Sequence, residues 1–179
     1  MRIEVVSIGS IDTNVLEYLV DLLSARLNAV VGTGSNIPIH LFRGDELRKQ
    51  YLSTSMLRAL CDVQRFGKVL LGVADVDLYV PSLNFVFGEA DPVNKVAVIS
   101  IARLRSTFYG LIDDHDLFLE RVGKEAVHEL GHVYQLKHCS QRKCVMFFSN
   151  SLADTDLKED KFCNKCERIL AAVAFIMQP

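Results

Sequence analysis

The chain has 179 residues, half of them hydrophobic and 23% charged, with a formal net charge of −2. That balance excludes extended disorder and leaves no basic footprint of the kind phosphate-backbone binding demands, so nucleic acid is not an expected partner. The length suits one compact domain that buries its own core without disulfides. No apolar stretch is long and uninterrupted enough to span a bilayer, and Met1 to Glu4 lead straight into a strand-like run in place of a signal peptide's apolar segment. A cytoplasmic monomer with no membrane partner is expected.

Residues 2–9 (RIEVVSIG) alternate and are rich in Val and Ile, which predicts a strand. Asp12 or Thr13 then caps a helix in which Val15, Leu16, Leu19, Val20, Leu22 and Leu23 recur at helical spacing as far as about Leu27. A second short strand is expected around Ile37 to Phe42. Ser53 or Thr54 caps another helix, with Met56, Leu57, Leu60 and Val63 on its inner face, and Cys61 within it reads as a buried structural thiol. The runs KVLLGVADVDLYV, LNFVFGEA and KVAVISIARL are of β type, separated by Pro81, Gly88 and Pro92, and supply the sheet. From about Asp113 the pattern returns to helix, capped by Asp113 or Asp114, with Leu117, Phe118, Val122, Ala126 and Leu130 on one face. A loop-rich stretch from His138 to Asp160 precedes a last helix from roughly Cys163 to Met177, with Ile169, Leu170, Val173 and Ile176 as its buried stripe. Two helices precede most of the sheet and strands sit at both ends, so the expected fold class is α/β with a mixed twisted sheet. No linker or repeat is visible. The chain reads as a single domain over 1–179, with a sheet and helix lobe over about 1–133 and a loop and helix lobe over about 134–179.

The helix from Asp113 carries His128-Glu129-Leu130-Gly131-His132, an H-E-x-x-H pattern. Residues four apart on an α-helix share a face, so both imidazoles can reach one metal ion. Glu129 follows the first ligand and points toward the place of a zinc-bound water, the position a general base requires. Zinc lowers the pKa of such a water to about 7. His138 lies six residues beyond His132, so the helix must end soon after His132 for a third imidazole to swing in from the loop. Three protein ligands leave the fourth position open, which is the catalytic arrangement and not the closed structural one.

These residues resemble the metzincin metallopeptidases, and within them the archaemetzincins. The resemblance is carried by the histidine pattern, by Cys139 directly after His138, by Cys144 five residues on, by Met146 two further, and by Cys163-x-x-Cys166. DLYVPSLNFVFGEA and AVISIARL are similar to the central region of that family. The resemblance implies hydrolysis of peptide bonds in a peptide or protein substrate, either at a terminus, as an aminopeptidase, or internally. It also implies a turn bearing Met146 as a packing floor beneath the metal. Metzincins carry Gly three residues after the second His, and this chain has Gln135, which would have to enter the left-handed region at a cost of about 1 kcal/mol. Metal binding outweighs that cost, so His138 is still expected to ligate. Gln135 also sustains a second reading, a catalytically weak or inactive two-zinc protein that binds peptides or a protein partner.

Four of the five cysteines, at 139, 144, 163 and 166, form two close pairs suited to a tetrahedral structural zinc, with a redox dithiol or two disulfides as the other readings of the spacing. The expected cofactors are therefore two zinc ions per chain, one catalytic and one structural, the latter clipping the loop after His138 to the C-terminal helix. For substrate, the candidate free edge is Asn84 to Glu89, giving Asn84, Phe85, Val86, Phe87 and Gly88 as binding residues by strand addition. Phe85 and Phe87 read equally as core positions on a strand. Phe147 to Asn150 correspond to the metzincin stretch beside the metal. His40 and His115 read as solvated or locally hydrogen-bonded, and Arg142, Lys143 and Lys165 around the cysteines as a solvated face of the zinc loop.

Overall fold

The computed structural model describes residues 1–64 and 67–176. A strand β1 (Arg2–Ile8) leads through the helix α1 (Thr13–Leu27) to β2 (Val30–Thr33). The short strands β3 (Gly44–Asp45) and β4 (Gln50–Leu52) follow, then α2 (Ser53–Val63), β5 (Val69–Ala74), β6 (Leu78–Tyr79), β7 (Gly88–Asp91) and β8 (Val96–Ser100). The long helix α3 (His115–Val133) precedes two last helices, α4 (Leu152–Leu157) and α5 (Asn164–Ile176). The main sheet has the order β2-β1-β5-β8-β7; its first four strands are parallel and β7 runs antiparallel along one edge. The mixed sheet is thus as expected, and a second small sheet, β3-β4-β6, stands beside it.

Of the three central strands, β5 and β8 are buried on both faces, which is why they read as continuous apolar runs, whereas β1 keeps Glu4 and Ser7 half-buried and reads as alternating. Their period of two still sorts the side chains. Ile3, Val5, Val69, Leu71, Val73, Ala97 and Ile99 pack with α1 and α3 on one side. Val6, Ile8, Leu70, Val96 and Val98 meet Met56, Leu57 and Leu60 of α2 on the other. Asp12 and Asp114 cap α1 and α3 as expected, their side chains accepting from the backbone N–H groups of Asn14 and Leu117.

Several expectations need correction. The second strand is Val30–Thr33 and not 37–42, because Pro38 has no N–H to give a ladder; only Ile37 bridges to Ile8, and Ile39–Leu41 closes into a 3₁₀ turn. Val30 is 71% exposed, so β2 is held by backbone pairing and shows little apolar pattern. Ser53 is the first residue of α2, not its cap, and its hydroxyl and that of Thr54 donate to the Glu89 carboxylate instead. Val63 is exposed and Cys61 only half-buried. The strand expected within 83–90 begins only at Gly88, and α4 occupies part of the stretch expected to be loop. On α5, Leu170 and Val173 pack inward while Ile169 is exposed. The expected end of that helix at Met177 lies outside the described residues, as does the side chain of Ile176.

Two ion pairs dock α4 and the residue after it onto α3. Arg121 forks onto Asp156 at 2.6 and 2.7 Å and also donates to the Leu104 carbonyl and the Ser106 hydroxyl. One turn further, Glu125 accepts from the Thr155 hydroxyl at 3.1 Å and faces the Lys158 ammonium at 3.0 Å. Both Glu125 and Lys158 are buried, and the ammonium has no other partner among the described residues. Removing one member of such a pair leaves an uncompensated buried charge. Lys158→Ala is therefore expected to cost about 3–5 kcal/mol, lowering the thermal midpoint by roughly 10 °C for a domain of this size. Thermal unfolding followed by circular dichroism checks this, and a midpoint within about 2 °C of the wild type would contradict it.

Candidate active site

The last turns of α3 bring His128 and His132 to one face, and His138 joins them from the loop, with one ring nitrogen of each within 4.8 Å of the others. Backbone carbonyls fix which nitrogen faces inward. His128 Nδ1 lies 2.7 Å from the Val145 carbonyl, and His132 Nδ1 lies 2.7 Å from the Leu136 carbonyl. Carbonyls only accept, so each Nδ1 carries the proton and each Nε2 presents a lone pair. Those two Nε2 atoms stand 3.1 Å apart. Two bare lone pairs at that separation repel unless a cation lies between them, and two nitrogens on a tetrahedral zinc stand about 3.3 Å apart. Burial, above all other causes, lowers the pKa of all three histidines, with the Lys158 charge acting in the same direction, so they remain neutral ligands at pH 7. The residues fit zinc.

The route from His132 to His138 passes through Gln135, whose φ is +65°. The Gln135 N–H donates to the His132 carbonyl at 2.8 Å and the Leu136 N–H to the Gly131 carbonyl at 3.0 Å. That pair of bonds is a Schellman closure, which needs one left-handed residue at this point. The reversal it makes carries the Leu136 carbonyl back onto His132. Gln135 thus makes the left-handed turn for which glycine is the favoured residue, and His138 is delivered all the same.

Cys144–Phe147 forms a turn in which the Phe147 N–H donates to the Cys144 carbonyl at 2.9 Å. It places Met146, fully buried, directly beneath Gly131: a Cβ at position 131 would lie 2.4 Å from the Met146 sulfur. The Met146 carbonyl accepts from the Cys139 N–H at 2.8 Å, binding the turn to the residue after His138. Cys139, Cys144, Cys163 and Cys166 each offer a sulfur within 4.8 Å of the rest. The Cys139 and Cys163 sulfurs are 3.8 Å apart, matching the roughly 3.8 Å edge of a tetrahedral zinc–thiolate site. Backbone N–H groups of Gln141 and Cys163 point at the Cys139 and Cys144 sulfurs at 3.5 and 3.3 Å, as suits thiolates. In the metal-free cluster burial raises the Cys144 and Cys166 thiols, whereas at Cys163 burial is outweighed by hydrogen bonds from the Cys166 backbone and the neighbouring thiols, which lower its pKa.

Above the histidines lies a cleft of about 450 Å³, bounded by Phe85 to Ala90 on one side, by α3 as floor, and by Gln135 to His138 with Phe148 to Asn150 on the other. Its upper wall is β7. The Ser100 N–H bonds the Phe87 carbonyl, so the alternation of an antiparallel ladder turns the Phe87 and Glu89 backbone groups toward β8 and leaves those of Gly88 and Ala90 on the outer edge. Glu129 is buried against that edge: a Cβ on Gly88 would come within 2.5 Å of its side chain. Burial, then the Glu125 carboxylate, raises the Glu129 pKa to about 8 against the opposing charge of Lys158. Of the residues expected to bind substrate, Phe85, Val86, Phe87 and Gly88 line the cleft, and Asn84 stands outside it with its carbonyl held by Arg48 and Gln50. Phe87 is also a core residue, as its alternative reading had it. Phe148 packs beside His138, with ring centres 4.7 Å apart. His40 and His115 are exposed and apart from the site. Glu125 and Lys158 went unrecognised; Glu125 sits one helical turn before Glu129, but nothing local to Lys158 marks it as buried.

The profile of peptidase family M54 matches residues 46–172. Archaemetzincin from Methanocaldococcus jannaschii is 41% identical over 169 residues, spanning 93% of this chain and 90% of that protein. A crystal structure of archaemetzincin from Methanopyrus kandleri superposes with a TM-score of 0.84 at 35% identity, covering 98% of this chain and 96% of that one. A crystal structure of a zinc-dependent peptidase from Methanocorpusculum labreanum gives a TM-score of 0.84 at 28% identity, covering 94% and 99%. Among the described residues no helix is long and apolar enough to cross a membrane.

Because position 135 is left-handed, Gln135→Gly removes a steric cost of about 1 kcal/mol. The thermal midpoint is expected to rise by about 2–4 °C with zinc content unchanged, as read by calorimetry and metal analysis. A fall in midpoint would contradict the closure described.

Proposed function

The chain belongs to peptidase family M54, the archaemetzincin family of zinc metallopeptidases, and from that premise we propose that it hydrolyses a peptide bond held between β7 and α3, with Glu129 as general base. His128, His132 and His138 hold the catalytic zinc, and Cys139, Cys144, Cys163 and Cys166 hold a structural one, making two per chain. Bound to the histidines, zinc supplies a Lewis acid for the scissile carbonyl and for activation of water. The observation that carries the reading is the pairing of three neutral, inward-facing imidazoles with a buried carboxylate at the same cleft.

The backbone groups of Gly88 and Ala90 receive the substrate in extended form by strand addition. Gly88 lacks a side chain where one would collide with Glu129, so the peptide backbone and the base can share the same edge. Glu129 takes a proton from the attacking water and later passes it to the leaving amine. Burial raises the Glu129 pKa in the metal-free site, and a zinc ion held by the three histidines would lower it again, favouring the carboxylate form that accepts the proton. Leu136 and Val145 keep the imidazoles in the tautomer that ligates. Met146 packs under Gly131 and takes no part in proton movement. The reading of a non-hydrolytic peptide-binding protein rested on Gln135, and Gln135 closes the helix without displacing His138, so no observation favours it.

Glu129→Ala is expected to lower kcat/KM on a peptide library by about 10²–10⁴ while zinc content stays at the wild-type level; full activity would rule the mechanism out. Gly88→Ala should push the Glu129 side chain from its place, reducing kcat by at least about ten-fold with zinc retained, and steady-state kinetics with metal analysis check it. Cys163→Ala should lose one zinc and, through the Cys144–Phe147 turn, lower activity and thermal stability. Unchanged metal content and midpoint in that variant would contradict the shared loop.

A further inference from the structure

The upper rim of the cleft is an aromatic surface fixed from behind. Leu83 and Phe85 line the same cleft as His128 and Glu129. The Phe85 ring meets the Phe87 ring edge-on at 5.1 Å, and one face is covered by the Arg103 guanidinium at 4.3 Å. Arg103 is itself locked, forking onto both Asp77 oxygens at 2.6 and 2.7 Å and lying 4.9 Å from the Phe108 ring centre. The rim backbone is held as firmly: Arg48 donates to the Leu83 carbonyl at 3.0 Å and the Asn84 carbonyl at 2.9 Å, and Gln50 adds a second bond to Asn84. Those carbonyls are therefore occupied and unavailable to a substrate. What the rim offers is apolar side-chain surface, with Leu83 45% exposed and Phe85 partly exposed. Asp77 neutralises Arg103, so no unpaired charge of that pair remains to select an acidic side chain. An aromatic ring already held in one orientation takes up an apolar group without further loss of rotamer freedom.

We propose that Phe85, with Leu83 beside it, is a specificity-determining subsite for a large apolar side chain of the peptide, and that Arg103 is the positioning residue that holds the Phe85 ring. This rests on the peptide-hydrolase reading above. The substrate class is an extended peptide whose large aliphatic or aromatic side chain projects past the Gly88 end of β7, where the free edge stops and the fixed rim begins.

The test is a peptide library randomised on both sides of the cleavage site, digested by the zinc-loaded wild type, Phe85→Ala, Phe85→Leu, Arg103→Gln and the double variant Phe85→Ala/Arg103→Gln. The wild type should select a large apolar residue at one position. Phe85→Ala should lower the ratio of kcat/KM for large apolar over Ser at that position by about ten-fold, and Phe85→Leu should keep most of it. Arg103→Gln should lower the ratio about three-fold and add nothing in the double variant, because it acts through Phe85. An unchanged ratio in Phe85→Ala, or an additive effect of Arg103→Gln, overturns the proposal. If the wild type cleaves no peptide, the hydrolase reading fails by itself, and calorimetric titration of Glu129→Ala protein then decides the subsite. Tighter binding of an apolar peptide than of its Ser analogue, lost on adding Phe85→Ala, supports it; equal affinity with Phe85 intact overturns it.

Discussion

The Val145 carbonyl, 2.7 Å from His128 Nδ1, is the contact on which the two clusters of metal-binding side chains jointly depend. It belongs to the Cys144–Phe147 turn, and each residue around it has a second duty. Cys144 gives its sulfur to the four-cysteine cluster, Met146 fills the space under Gly131, and the Met146 carbonyl holds Cys139, which follows His138. The Val145 N–H is in turn held by the Lys161 carbonyl at 2.8 Å, just ahead of Cys163. Moving any of these members shifts an imidazole, a cysteine sulfur or both, so the geometry of the four-cysteine cluster is coupled to that of the three histidines. Orienting partners of this kind are a general requirement of metal sites, because a ligand's free ring nitrogen must be fixed before its lone pair has a direction.

Charge burial gives the site its chemical character. Glu125, Glu129 and Lys158 are buried around one stretch of α3, an arrangement that water would screen at the surface and that here acts at close range. Lys158 offsets Glu125, leaving Glu129 as the carboxylate whose proton affinity is raised by desolvation. The same lysine, together with burial, disfavours protonation of the histidines. Desolvation thus acts in opposite directions on the two kinds of group, lowering the histidines and raising Glu129, and Lys158 reinforces it at the histidines while opposing it at Glu129.

Much of this was legible in the residues. The three-histidine spacing, the paired cysteines and the mixed sheet follow from local rules of helix periodicity, ligand softness and strand alternation, and the structure assembles them as those rules demand. Gln135 looked like a departure because glycine is favoured in the left-handed region; the structure shows that the backbone conformation, and not the residue type, is what delivers His138. The failures have a common cause. β2 pairs by backbone with Val30 exposed, so it carries no apolar signal. The segment before the edge strand is tied elsewhere: the Val86 N–H donates to the Leu78 carbonyl, and Arg48 and Gln50 take the carbonyls of Leu83 and Asn84 from more than thirty positions away. Lys158 is likewise recognisable only once α4 has docked on α3.

The central claim is that the histidine site is a zinc site left open toward the cleft, joined through one turn to a closed thiolate site. Anomalous diffraction at the zinc edge tests it most directly. The account predicts two peaks per chain, one surrounded by the Nε2 atoms of His128 and His132 and a ring nitrogen of His138 with no fourth protein side chain, the other by the sulfurs of Cys139, Cys144, Cys163 and Cys166. A fourth protein ligand closing the histidine site, or no zinc among the cysteines, would contradict it.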